Sequence, residues 1–345
     1  MESVNFRLPV EDHMEISNHL RNLKSMYEGS EILIYGGTGF IGSWLTESLV
    51  YADMDLNLGL KLTIVTRNIK LAKHKFSQFI NNKINFIEHD FALSPLNIKN
   101  NSDYIFCGAT PTRNYHAISN VEEIISSSRN SALHASQSQG VKFRKTRVTH
   151  LNSGIIYGKQ PLEMLTRLES DNVFNDQSQY CQAKLEVDNI LKSAHQDGKI
   201  DFQSPRLFAF AGPNLQLDAH FAAGNFLLNG LKGQPIVVKG NPSTIRSYMY
   251  PSDLVKSLLT VAVQSTYRNV NIGSDKSISM LQLANLISAQ TSNSEIILTN
   301  PSVEQSNYVP SITNLKELMP DTNFVGIQDS IKKWIDWLHA SDLAW

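Results

Sequence analysis

The chain has 345 residues, 41% of them hydrophobic and 18% charged, with a formal net charge of −1. That is enough to bury a sizeable core and to divide into about two domains. Acids and bases are intermixed, which excludes a basic face for nucleic acid and a polybasic membrane patch and leaves a small molecule as the expected partner.

In chain order, the first thirty residues carry Glu2, Glu11, Asp12 and Glu15 where a signal peptide would be basic and then apolar. No run of about 18 apolar residues follows anywhere, so neither export nor membrane insertion is expected. Ile16, Leu20, Leu23 and Tyr27 recur at helical spacing, which predicts an amphipathic helix over an N-terminal extension, 1–29, packed on the domain that follows. Apolar runs at 31–35, 60–66, 84–88, 103–107, 146–152 and 200–209 alternate with helical stretches such as "AISNVEEIISSSRNSALHASQ". The alternation predicts a parallel, doubly wound α/β sheet over 30–210. After "AGPNL" the regularity breaks. Short strands ("PIVVKG", "NVNIG", "EIILTN") and helices at 219–231, 252–263 and 280–290 predict a smaller α/β substrate-binding lobe, 211–345. The two cysteines, Cys107 and Cys181, have no metal-ligand spacing, so no metal is expected and a reducing cytoplasm fits best.

Three constellations bear on chemistry. In "EILIYGGTGFIGSW", the first predicted strand runs into Gly36, Gly39 and Gly42 and then into helix-forming residues. Gly36 would permit the tight turn, Gly39 would let the backbone approach a pyrophosphate, and Gly42 would let the helix pack closely on the sheet. The free N–H groups of that helix would face the phosphates. In "YCQAK", Tyr180 and Lys184 lie on one face of a helix. A free tyrosine ionises near pH ~10, so it needs a nearby cation before it can serve as a base, and Lys184 can be that cation. In "HLNSGIIYG", Ser153 stands at the carboxyl end of a predicted central strand, where open α/β sheets bind ligands, and could hydrogen-bond a substrate oxygen. Each has a plain structural alternative: an ordinary strand-to-helix turn, a half-buried tyrosine beside a solvated lysine, a capping serine. Their order along one chain is more specific than any one of them.

With these residues the chain resembles the extended short-chain dehydrogenase/reductase family of nucleotide-sugar epimerases, dehydratases, reductases and decarboxylases. "GGTGFIG", "NSGIIYG" and "YCQAK" carry the resemblance, and "PRLFAFAGP", "IRSYMYPSDLV" and "NVNIGSDKSISMLQLANLI" extend it over both lobes, residues 31–340. It implies a Rossmann-type fold with Tyr180 as acid/base, Lys184 on the nicotinamide ribose, and Ser153 orienting the sugar oxygen. Cofactor contacts are implied for Gly36, Gly39, Phe40, Ile41, Gly42, Asp90, Phe91, Ala109 and Thr110, with Asp90 at the adenine. Arg246 would grip the substrate's diphosphate, a task suited to a guanidinium, and Arg113 would border the sugar. Two positions depart from the family pattern. Ala209 stands where relatives often carry a substrate-contacting asparagine, for which Asn225 is the candidate substitute, and Ser311 replaces the usual aspartate near the C-terminal "PDI". A homodimer is implied through the helix over 117–138 and the helix carrying Tyr180, where Leu185, Ile190 and Leu191 fall partly in stripe; a buried core face explains those three equally well.

The second strand ends in Thr66, Arg67 and Asn68, with Lys70 and Lys73 following, and has no acid to accept a ribose 2′-OH. NADP is therefore expected ahead of NAD, with Arg67 on the 2′-phosphate; an Arg67 stacked on adenine would leave NAD equally acceptable. Family dehydratases carry Asp and Glu directly after the serine position, and the decarboxylases keep the Glu. Here these are Gly154 and Ile155, which cannot move a proton. The expected reaction is thus reduction of a 4-keto-6-deoxy nucleotide sugar at C4. A C4 epimerase is the alternative, ahead of a 4,6-dehydratase, a decarboxylase or a non-catalytic dinucleotide sensor.

Overall fold

The computed structural model describes residues 6–79, 84–98, 101–110, 121–143, 145–173, 178–218, 221–264, 266 and 268–341. The N-terminal extension forms α1 (Val10–Arg21) and, after a break at Asn22 and Leu23, the single turn α2 (Lys24–Tyr27). Ile16, Leu20 and Tyr27 are fully buried, and the Tyr27 hydroxyl donates to Leu259 O at 2.7 Å.

The alternating half then runs β1 (Glu31–Tyr35), α3 (Phe40–Leu56), β2 (Lys61–Thr66), α4 (Ile69–Lys75), β3 (Ile84–Glu88), β4 (Tyr104–Cys107), α5 (Val121–Ser136), β5 (Thr146–His150), β6 (Asn152–Ser153), α6 (Gln179–Gln196), β7 (Ile200–Gln203) and β8 (Arg206–Leu207). The central sheet is parallel, in the order β3-β2-β1-β4-β5-β7. Side chains alternate across it. Ile32 and Ile34 of β1 enter one core with Trp44, Leu45 and Leu49 of α3, while Leu33 and Tyr35 enter the other with Val187 and Leu191 of α6. Strand order reverses between β1 and β4, and such switch points are where doubly wound sheets open a ligand crevice.

Then follow α7 (Ala222–Leu231), β9 (Ile236–Lys239), β10 (Ile245–Ser247), α8 (Pro251–Ala262), β11 (Asn271–Ile272), β12 (Ser277–Ser279), α9 (Met280–Gln290), β13 (Ile296–Thr299), β14 (Asn307–Tyr308), α10 (Thr313–Leu318) and α11 (Ile327–Ala340). β9 pairs with β13, β10 lies between β12 and β14, and β8 lies between β6 and β11. Phe226, Leu227, Ile236, Leu283, Ile331 and Trp334 build a third core between α7, α9 and α11. All of α8 is buried, and Leu254, Val255, Leu258 and Leu259 join the first core with α1 and α3. A helix that is apolar on most of its surface needs cover on most sides, and α1 provides part of it.

Buried polar contacts fasten α1 in place. Asp12, fully buried, accepts from the Tyr250 hydroxyl at 2.6 Å and pairs with Lys333 of α11 at 2.7 Å. Glu47 of α3 accepts the backbone N–H groups of Arg7 and Leu8 at 3.1 and 3.2 Å.

Candidate active site

The glycine turn occupies the switch point. Gly36 takes φ +74°, a left-handed conformation, and a Cβ there would lie 2.7 Å from Gly108 O at the end of β4. Only glycine combines that φ with that approach. A Cβ on Gly42 would fall 2.3 Å from Gly36 O, so its absence lets the first turn of α3 close onto the loop. Gly39 is the N-cap of α3 and offers no capping side chain. The backbone donors of the first helical turn therefore point outward without a side-chain acceptor, an arrangement that suits phosphate oxygens. From α4, Lys75 donates to Thr38 O at 2.9 Å and braces the turn; burial pulls the amine down to about 8. The residues present thus fit a dinucleotide's diphosphate.

Around this turn the other expected cofactor residues take the following places. Phe40 and Ile41 open α3, half-buried, with the Phe40 ring 6.4 Å from Phe210. Asp90 accepts from Ala92 N–H at 2.9 Å, and Phe91 is buried against Tyr35 with ring centroids 4.9 Å apart. Ala109 and Thr110 follow β4, and the Thr110 hydroxyl bonds Ser128 at 2.9 Å. Arg67 leaves the end of β2 and forms an ion pair with Glu123 in the first turn of α5. Arg113 lies outside the described residues.

The Tyr/Lys helix α6 starts at Ser178, whose side chain accepts from Cys181 N–H, and buries Cys181, Ala183, Lys184, Val187 and Leu191 on one face. Lys184 is only 3% exposed; its Nζ lies 5.5 Å from the Tyr180 ring centroid and donates to Leu151 O at 2.6 Å. Burial depresses this amine to about 8, with Cys107 and Asp188 pulling the other way. Leu151 sits two positions before Ser153, so one hydrogen bond ties the lysine helix to the serine segment.

Beneath them lies a polar cluster. Asp188 Oδ1 accepts from His150 Nδ1 at 2.7 Å and from Ser204 Oγ at 2.5 Å, and its Oδ2 accepts from Asn152 Nδ2 at 2.8 Å. Asn152 Oδ1 in turn accepts Ser153 N–H at 2.7 Å. Burial lowers the His150 pKa while Asp188 opposes it. The Ser153 hydroxyl oxygen accepts from Ile155 N–H at 3.3 Å, which leaves its own hydrogen to donate elsewhere. Asp188, Asn152, His150 and Ser204 were not singled out from sequence. Asp188 had a signal, since it lies one helical repeat beyond Lys184 on the same face as Tyr180.

Next to Ser153, a Cβ at Gly154 would meet Phe208 Cζ at 2.6 Å and the Tyr308 hydroxyl at 2.8 Å. The two rings pack with centroids 4.6 Å apart and fill the space beside the serine. Arg246 on β10 is half-buried and held by Ser306, through Nη1 to the carbonyl and Nη2 to Oγ, each at 3.0 Å. Burial lowers its pKa. Asn225 lies on α7, donating to Phe221 O at 3.1 Å; Ala209 is half-buried, and Ser311 is buried with its hydroxyl on Thr313 at 3.0 Å. Among the described residues, no cluster of His, Cys, Asp or Glu could hold a metal ion, and no helix is long and apolar enough to cross a membrane.

A doubly wound parallel sheet with a glycine turn at its switch point is the architecture of dinucleotide-binding proteins. Residues 32–273 match the NAD dependent epimerase/dehydratase family, and the chain belongs to it. UDP-glucuronic acid decarboxylase 2 of Arabidopsis thaliana is 24% identical over 298 residues, which is 85% of this chain but 64% of that protein. This chain therefore spans less than two thirds of that relative's length. Among solved structures, the UDP-N-acetylglucosamine 4-epimerase from Methanobrevibacter ruminantium, in complex with UDP-N-acetylmuramic acid, superposes with a TM-score of 0.75 at 19% identity over 91% of this chain and 99% of that one. The UDP-glucuronic acid 4-epimerase from Bacillus cereus, in complex with UDP-glucuronic acid and NAD, gives 0.72 at 18% identity over 90% and 99%. At these identities the likeness is one of fold.

Proposed function

We propose that this chain is a nicotinamide-dependent oxidoreductase acting at C4 of a nucleotide-linked sugar, and that its reaction is reduction of a 4-keto-6-deoxy sugar. The observation that carries redox chemistry at C4 over elimination or decarboxylation is the filled space beside Ser153, and the choice of reduction over epimerisation rests on Arg67 favouring NADPH. Elimination or decarboxylation needs an acid or base at Gly154 or Ile155, and neither residue can supply one; at Gly154 the ring of Phe208 stands where a side chain would begin. A reaction lacking one such group loses about 10² to 10⁴ in rate.

Tyr180, Lys184 and Ser153 suffice for redox chemistry at C4. When bound, the nicotinamide exchanges a hydride with that carbon. Ser153 donates its hydroxyl hydrogen to the C4 oxygen, Tyr180 gives or takes the proton there, and the Lys184 ammonium beside the Tyr180 ring favours the phenolate. Arg246, anchored on Ser306, holds the diphosphate. Asn225 faces the sugar in this reading, and Arg113 is assigned to the sugar from the resemblance alone. Arg67 takes the 2′-phosphate of NADP, with Asp90 and Phe91 at the adenine. We extend the proposal to a homodimer through α5 and α6 and to a reducing cytoplasm, where the buried cysteines Cys107 and Cys181, neither in a disulfide, would persist as thiols.

The test is stoichiometry over a panel of nucleotide-sugars and their 4-keto derivatives. Reduction predicts one NADPH oxidised per product formed. A second reading, C4 epimerisation, is favoured by the two 4-epimerases whose folds this chain shares. Many turnovers without consumption of added NADPH would establish it and overturn the reductase. Release of water or carbon dioxide would overturn both.

A further inference from the structure

The end of β2 is where a dinucleotide's adenosine ribose is read in this architecture, and in this chain its polar groups are mostly engaged. Asn68 Oδ1 accepts Leu71 N–H at 2.9 Å as the cap of α4, and Asn68 N–H donates to the Thr66 hydroxyl at 3.3 Å. The neighbouring acids are engaged as well: Glu88 accepts Ile69 N–H at 3.2 Å, and Asp90 accepts Ala92 N–H at 2.9 Å. Arg67 is different. Its guanidinium reaches across to the carboxylate of Glu123, 56 residues further on, with the two side chains 56% and 34% exposed. The pair joins the end of β2 to the start of α5, and both ends remain open to solvent.

We infer that Glu123 determines which dinucleotide this chain prefers. β2 ends without the carboxylate that usually receives a ribose 2′-hydroxyl, and Glu123 supplies one from a different element. A 2′-hydroxyl can donate to that carboxylate while the ion pair stays intact. A 2′-phosphate must displace the carboxylate from Arg67 and then sit beside it, a like-charge contact. Glu123 therefore holds back whatever preference for a 2′-phosphate Arg67 confers. Exposed ion pairs are individually weak, so the pair can be opened by a dianionic competitor and acts as a bias. The inference rests on the reading that Arg67 faces the 2′ position, and the two can fail separately.

The experiment measures dissociation constants for NADPH and NADH by fluorescence titration, with no turnover involved, on the wild-type chain, Glu123→Gln, Arg67→Ala and the double variant. Both side chains are substantially exposed, and unchanged circular dichroism and melting temperature will confirm that the variants fold. Glu123→Gln is expected to shift the NADPH/NADH affinity ratio toward NADPH by about tenfold or more, and the shift is expected to shrink in the Arg67→Ala background, where only the direct contacts of Glu123 with the 2′ group remain. A Glu123→Gln ratio equal to wild type overturns the inference; if Arg67→Ala weakens NADPH in the same series, the Arg67 reading survives it. A shift of the same size in the Arg67→Ala background overturns the route through the ion pair and leaves Glu123 acting on the 2′ group directly, while a shift toward NADH overturns the inference outright. Failure of the wild-type chain to bind either nucleotide overturns both.

Discussion

Replacing Lys184 by methionine tests the catalytic role proposed for the amine separately from its effect on the fold. The side chain is 3% exposed, and burial moves its pKa from 10.5 to about 8. That difference of about 2.5 pH units corresponds to roughly 3 kcal/mol by which the folded state disfavours the charged form. The sign follows from proton counts. Because the folded pKa is lowered, between pH 8 and 10.5 the unfolded chain binds a proton that the native chain does not, so this group makes stability rise with pH across that window and contributes a constant penalty below it. Methionine removes the penalty but also removes the donor to Leu151 O, a loss of about 1–3 kcal/mol. The two nearly offset at pH 7. Urea unfolding should therefore place Lys184→Met within about 2 kcal/mol of wild type at pH 7, while turnover falls about 100-fold or more. Measured from pH 7 to 10, wild type should gain stability relative to the variant by up to about 3 kcal/mol. Parallel pH dependences would show that the folded lysine titrates normally and refute the reasoning.

Three further outcomes are expected. Tyr180→Phe should lower turnover by about 100-fold or more with the cofactor's dissociation constant unchanged; near-normal turnover would remove the tyrosine from the chemistry. Gly154→Ala drives a methyl group into Phe208 and should destabilise by about 1–3 kcal/mol, with partial recovery in combination with Phe208→Leu, read from urea midpoints. Asp188→Asn places an amide N–H₂ among donors already facing the carboxylate, so about 1–3 kcal/mol should be lost; turnover should fall with it as the backbone of Ser153 loosens, and an unaltered variant would deny the cluster its positioning role.

The central sheet was legible because parallel strands buried on both faces read as short apolar runs, and all six strands fall where those runs lie. The helical spacing of Ile16, Leu20 and Tyr27 gave the packing of the extension but not the break at Asn22, since a repeat of buried positions survives a short irregular turn. What could not be read were partnerships across long separations. Nothing local in "SDLVKSLLTVA" says that α8 joins the first core rather than the third. Arg67 shows as a cation at the end of β2, and its occupation by Glu123 emerges only when α5 is laid beside it. Gly154 was legible as a missing acid, whereas the aromatic filling that stands in its place comes from Phe208 and Tyr308 on two other elements.

The anchoring of α1 also sets an order of events during translation. Asp12 leaves the ribosome 321 residues ahead of Lys333, and Arg7 leaves 330 ahead of Trp337, whose indole nitrogen donates to its carbonyl. Until α11 emerges, the nascent chain holds a helix whose apolar stripe has somewhere to dock but whose buried carboxylate lacks its cation. Contacts this distant along the chain close late and slowly. The growing polypeptide thus depends on α1 waiting, and a fragment stopped short of α11 should bind chaperones or aggregate even though its six-stranded sheet has been fully synthesised.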